Sequence, residues 1–253
     1  MATIVLVPGA WLGAWAWERV VPDLERAGHA PVAVTLPGLA DRAAELTPAT
    51  GLLAHVRDLV ARAERERWTD ALLVGHSYAG AVVGAVARRA PTHFRGQVYV
   101  DTMPMDEGRS FLDGFSPADR TKFLGSLVTV RGTRVWPMPD PLGSQAPVDG
   151  LSAADLALLR DRGTPHPAFS FEEPLSGATA AGRLPRCHAV SCVGSDSPEA
   201  ERTAFLAARP DWTYDSLPTG HWPMLSTPHE LAAVLDRIAR GTAGSGSRTL
   251  KTP

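Results

Sequence analysis

Ile4, Val5, Leu6 and Val7 form an unbroken apolar run, the pattern of a strand buried on both faces. Val20, Val21 and Leu24 then fall on one side of a helical pattern that closes at Gly28. Residues 31–35 read as a second strand, and Leu52, Leu53, Val56, Leu59, Val60 and Ala63 predict a helix over 51–66. A third apolar run, Ala71 to Val74, stops at Gly75. The small residues of 78–89 then suit a helix packed closely on a sheet. Residues 97–101, 187–193 and 212–216 read as further strands, with helices near 199–208 and over 228–239. Strands alternating with helices at this spacing predict right-handed crossovers and a mostly parallel sheet covered on both faces. The expected class is α/β, with about six strands and no internal repeats.

Between residues 104 and 185 the texture changes. Prolines cluster at Pro137, Pro139 and Pro141 and again at Pro165 and Pro167. Short helical patterns at 116–124 and 152–162 open on serine caps. Phe111, Phe115, Phe123, Trp136, Phe169 and Phe171 are spread through the stretch, which argues against a featureless loop. An insertion of this length between sheet strands is read as a lid over the strand ends. The expected organisation is a core of 1–103 and 186–240, a lid of 104–185, and a disordered Gly/Ser-rich tail of 241–253.

A length of 253 residues with 44% hydrophobic content supports one large core. No window approaches a membrane span. No secretory leader is visible before the first strand. The net charge of −2, with lysine only at Lys122 and Lys251, argues against a nucleic-acid surface. Cys187 and Cys192 share one predicted strand at an odd separation, so they face opposite ways and a mutual bond is not expected. A reducing cytoplasm fits.

The chemistry centres on Gly75-His76-Ser77-Tyr78-Ala79-Gly80. A strand ending in a sharp turn and leading straight into a helix would lift the Ser77 hydroxyl above the sheet edge as a nucleophile. The same residues also suit a serine that merely caps a helix. His221 decides between them, since it follows the last strand and shares that edge of a parallel sheet. A hydroxyl needs a base within hydrogen-bond reach, and an imidazole supplies one. The base needs an orienting carboxylate. Asp196, just past the 187–193 strand, ranks first and Asp101 second, while Asp215 also lies near a strand end. Ser77, Asp196, His221 is the chain order expected of this architecture. Backbone N–H groups of Tyr78 and of Ala10, in the loop after the first strand, are the expected oxyanion donors. Trp11, Trp136 and Trp222 are expected to line an apolar substrate pocket. His76 reads as a packed structural residue, while His55, His166 and His188 show no usable spacing. No metal-ligand spacing occurs, and no cofactor is implied.

Together, residues 5–11 with 13–17, 75–80 and 220–228 resemble the α/β-hydrolase superfamily. The branch indicated holds plant methyl-ester hydrolases, hydroxynitrile lyases and bacterial small-ester hydrolases. The resemblance implies a carboxylic ester hydrolase acting on a small uncharged ester through an acyl-enzyme. It implies a small-molecule ester or related apolar substrate as partner, with no nucleic acid and no membrane, and it leaves a homodimer open. Some members of the superfamily take their acid from the place Asp101 holds. The rival readings are a cofactor-free lyase, a cyclase-like tailoring enzyme and a ligand receptor without turnover. The lyases of the branch carry a hydroxyl and a lysine where Gly9 and Trp222 stand here, which disfavours cyanohydrin cleavage.

Overall fold

The computed structural model describes residues 1–139, 150–177, 186–194, 208–209 and 211–241. Nearly all of the expected 199–208 helix and of the expected tail lies outside these residues, as does Asp196.

Six strands form one sheet in the order β2-β1-β3-β4-β8-β9, and every neighbouring pair is parallel. They are β1 (Thr3–Val7), β2 (Ala30–Ala33), β3 (Ala71–His76), β4 (Phe94–Val100), β8 (Arg186–Cys192) and β9 (Thr213–Leu217). The apolar runs are continuous because both faces are covered, and successive side chains go to opposite cores. Along β1, Ile4 and Leu6 join one core, while Val5 and Val7 join the other. β3 divides the same way, with Leu72 and Val74 on one side and Ala71 and Leu73 on the other. The first core is closed by α1 (Val21–Arg26) and α7 (Pro228–Arg240) through Leu24, Leu231 and Leu235. The second is closed by α2 (Leu52–Arg65) and α3 (Ala79–Arg89) through Leu52, Val56, Leu59, Val82 and Val86.

The stretch between β4 and β8 is more structured than its pattern predicted. It holds α4 (Pro117–Ser126), α5 (Ala153–Arg162) and the short α6 (Phe169–Glu172), the first two opened by the serine caps read from the sequence. It also holds a small antiparallel sheet of β5 (Val128–Val130), β6 (Thr133–Trp136) and β7 (His166–Pro167). That sheet gave no sequence signal, because β5 is exposed on all three residues and β7 is two residues long. One of its ties to the core is Glu173. This carboxylate accepts the Leu53 N–H at the start of α2, where Gly51 offers no side-chain cap. A Cβ at Gly51 would collide with that carboxylate.

Cys187 and Cys192 sit five residues apart along β8. At about 3.3 Å per residue they are far beyond bonding reach of each other. Burial pushes the Cys187 thiol up to about 11. Among the described residues, no helix is long and apolar enough to cross a membrane.

Candidate active site

The C-terminal edge of the sheet gathers three residues with left-handed backbone: Trp11 (φ 66°), Ser77 (φ 52°) and Asp101 (φ 47°). Such conformations cost a non-glycine residue roughly 1–3 kcal/mol and persist where surroundings over-determine them. Ser77 follows β3 directly, and its N–H is held by the Val100 carbonyl of the next strand. Its own carbonyl accepts the Thr102 hydroxyl at 2.6 Å and the Gly80 N–H at 2.9 Å. The two glycines of the motif serve packing. A Cβ at Gly75 would lie 2.7 Å from Val83, and one at Gly80 would lie 2.5 Å from Thr102 Oγ1. This explains why a glycine stands at position 80.

Ser77 Oγ lies 2.9 Å from His221 Nε2, and His221 Nδ1 lies 2.6 Å from Asp101 Oδ2. A carboxylate only accepts, so Nδ1 carries the proton and Nε2 is left to accept the serine O–H. The imidazole side chain is 23% exposed and the Asp101 side chain 1%. Burial alone would raise the Asp101 pKa, but the hydrogen bond and charge of His221 and the hydrogen bond from the Cys192 N–H hold it below the usual carboxylate value.

The carboxylate on His221 is therefore the second-ranked candidate. Asp196, ranked first, lies outside the described residues, and the Nδ1 position is held by Asp101. Asp101 succeeds because it stands just past β4, next to the β3 edge that presents Ser77, and its left-handed turn follows the strand. Asp215, still inside β9, is taken by His188 at 2.9 Å and by Arg237.

Ala10 and Tyr78 both border the cavity above Ser77. Among the described residues, neither backbone N–H has a protein acceptor. Gly9 lets the loop of Ala10 lie against the elbow, since a Cβ there would be 2.9 Å from that of Ser77. The cavity measures about 410 Å³ and is walled by aromatic and apolar side chains, Trp11, Trp136 and Trp222 among them. Phe111, Phe115, Trp136, Met138, Pro139 and Phe171 come to it from the stretch between β4 and β8. Among the described residues that line it, the ionisable side chains besides Tyr78 are Asp101 and His221, the pair bonded to each other.

Three histidines surround this edge without entering it as bases. His76 is buried and donates from Nε2 to the His221 carbonyl at 2.6 Å, which fixes the loop of the base. His55 and His166, which showed no usable spacing, prove to be partners of the elbow and the first loop. His55 Nε2 faces the Pro37 carbonyl and its Nδ1 the Tyr78 hydroxyl, while His166 Nδ1 faces the Trp11 N–H. These partners in the elbow and the loops beside it lie 18 to 155 positions away, so no local pattern announces them.

Burial holds His55 at about 4, His76 at about 3 and His166 well below its ordinary 6.5. The unfolded chain takes up these protons near pH 6.5 and the folded chain does not. The stability they contribute is thus whole above about pH 6.5 and is lost as pH falls toward 4 and 3. Each removes up to about 1.4 kcal/mol per pH unit inside that window. Asp101 and Asp215, whose folded values are lowered, lose their contribution only below 3.8. The urea midpoint should therefore drop clearly between pH 7 and pH 5, and a flat profile over that range would contradict the buried neutral histidines.

Such a sheet, with its serine turn and its histidine loop on one edge, defines the α/β-hydrolase class. The chain belongs to the alpha/beta hydrolase family, whose model matches residues 4–234. It is 30% identical over 240 residues to a carbendazim hydrolyzing esterase of Nocardioides sp. (strain SG-4G), covering 93% of this chain and 98% of that one. Its fold is shared by an extracellular α/β-hydrolase from a Paenibacillus species, with a TM-score of 0.77 at 18% identity over 93% and 98% of the two chains. A methylesterase protein from Arabidopsis superposes with a TM-score of 0.71 at 18% identity, over 95% and 100%. At the level of the family, the Nocardioides esterase supports carboxylic ester hydrolysis.

Proposed function

We propose that the protein is a serine esterase that cleaves small uncharged esters through an acyl-enzyme. The observation carrying this reading is the Ser77–His221–Asp101 hydrogen-bond chain opening into an aromatic cavity. Ser77 Oγ attacks the ester carbonyl while His221 Nε2 takes its proton. The developing oxyanion is met by the N–H groups of Ala10 and Tyr78, which have no other protein acceptor among the described residues. His221 then returns the proton to the leaving alkoxide, and water, activated by the same imidazole, frees the acyl group and restores Ser77. Asp101 keeps the imidazole in its Nδ1–H tautomer and stabilises the imidazolium.

The aromatic walls favour a flat or apolar acyl group, and the lack of any unpaired charge among the cavity's described residues disfavours ionic substrates. The name of the Arabidopsis methylesterase protein points to a methyl or similarly small alcohol as leaving group. The stretch between β4 and β8 acts as a lid that excludes water from the acyl-enzyme. At the place where a lyase of this branch needs a hydroxyl, Gly9 has no room for a side chain.

The test combines a fluorophosphonate probe with a panel of p-nitrophenyl and methyl esters. Labelling should map to Ser77, with a burst of p-nitrophenol and turnover of neutral aromatic esters above charged ones. Labelling at another residue, or a preference for ionic esters, would overturn the proposal.

A further inference from the structure

Trp11 is gripped at three points by the stretch between β4 and β8. Its N–H donates to His166 Nδ1 at 3.2 Å, its carbonyl accepts the Thr164 N–H at 2.9 Å, and its indole N–H donates to the Trp136 carbonyl at 3.1 Å. The residue so held has the left-handed backbone, and it directly follows Ala10. On the other side of Ala10, Gly9 is pressed against Ser77 and His76, where even a Cβ has no space. The direction of the Ala10 N–H is thus set by a packed glycine on one side and a clamped tryptophan backbone on the other.

The polarity of the clamp follows from its far end. Ser170 donates its hydroxyl proton to the Pro167 carbonyl at 2.7 Å, so its oxygen is free to accept. His166 Nε2 lies 2.9 Å from that oxygen and therefore carries the ring proton. Nδ1 is left bare, as an acceptor for the Trp11 N–H must be. His166 and Ser170 are both fully buried, and the His166 ring packs on those of Tyr78 and Phe171.

We propose that His166 is a positioning residue: its unprotonated Nδ1 holds the left-handed turn at Trp11 and thereby aims the Ala10 N–H at the oxyanion. This rests on the ester-cleavage reading above, and the experiment separates the two. An asparagine can place its Oδ1 where Nδ1 stands, whereas a glutamine reaches the Nε2 position and leaves the Trp11 N–H unpaired. His166→Gln should lower kcat on p-nitrophenyl acetate about 10- to 100-fold, the effect of loosening one oxyanion donor, with KM within roughly threefold. His166→Asn should recover most of that loss. Fluorophosphonate labelling of Ser77 should slow in step with kcat, since the phosphoryl oxygen uses the same donors. Equal kcat in both variants, or a change confined to KM, would overturn the proposal while leaving the esterase reading in place. Should the variants not fold, long-range ¹H–¹⁵N spectra of the wild-type imidazoles decide the matter. Nδ1 of His166 should be unprotonated and Nε2 protonated at pH 7, and the Trp11 amide should be slow to exchange. The opposite tautomer would refute the clamp. Absence of Ser77-dependent turnover in the wild type would overturn the esterase reading and this inference with it.

Discussion

Asp101→Asn is expected to lower kcat by roughly 10³- to 10⁴-fold with little change in KM, as loss of the orienting carboxylate does in other serine hydrolases. The geometry says why so small a change is so costly. Among the described residues, Asp101 accepts the N–H of Cys192 at 3.2 Å on Oδ1 and that of His221 Nδ1 at 2.6 Å on Oδ2. The Cys192 donor is backbone and cannot reverse, so the oxygen of an asparagine must stay on its side. The NH₂ then faces His221 Nδ1 and forces the ring proton onto Nε2. An imidazole protonated at Nε2 cannot take the proton of Ser77. Asp196→Asn should keep near wild-type turnover, because the single Nδ1 proton is already accepted by Asp101. Steady-state kinetics on a p-nitrophenyl ester check both, with thermal unfolding to show that each variant folds. A crippled Asp196→Asn beside an active Asp101→Asn would reverse the assignment.

Ser77→Ala should cost still more, about 10⁴- to 10⁶-fold in kcat, since nucleophile and base act as a unit. The fold should survive it. Among the described residues the Ser77 hydroxyl bonds only His221, whereas the turn is held by backbone groups that alanine retains, at the Val100 carbonyl, the Gly80 N–H and the Thr102 hydroxyl. Alanine also bears the left-handed φ of 52° no worse than serine does. The fluorophosphonate probe should not label the variant, and its melting temperature should stay within a few degrees of wild type. Undiminished ester turnover in a folded Ser77→Ala protein would remove the nucleophile from the mechanism.

Sequence alone determined the architecture and two of the three members of the hydrogen-bond chain. Ile4 to Val7 and Ala71 to Val74 are apolar without interruption because both faces of a parallel sheet are buried, and that pattern is local. Ser77 and His221 were legible for a related reason. Each sits in a turn at the C-terminal end of a strand, and a parallel sheet brings all such turns to one edge whatever the lateral order. That same generality left the acid undecided, because Asp101, Asp196 and Asp215 all lie near strand ends. Choosing among them requires the lateral order β3-β4-β8-β9 and the left-handed turn at Asp101, and neither leaves a periodic trace. His55 and His166 were illegible on stronger grounds. Their links to the site are hydrogen bonds to Tyr78 and Trp11, across 23 and 155 positions of chain. A buried histidine's protonation and its partner are set by what packs around it. Only the folded chain supplies those neighbours.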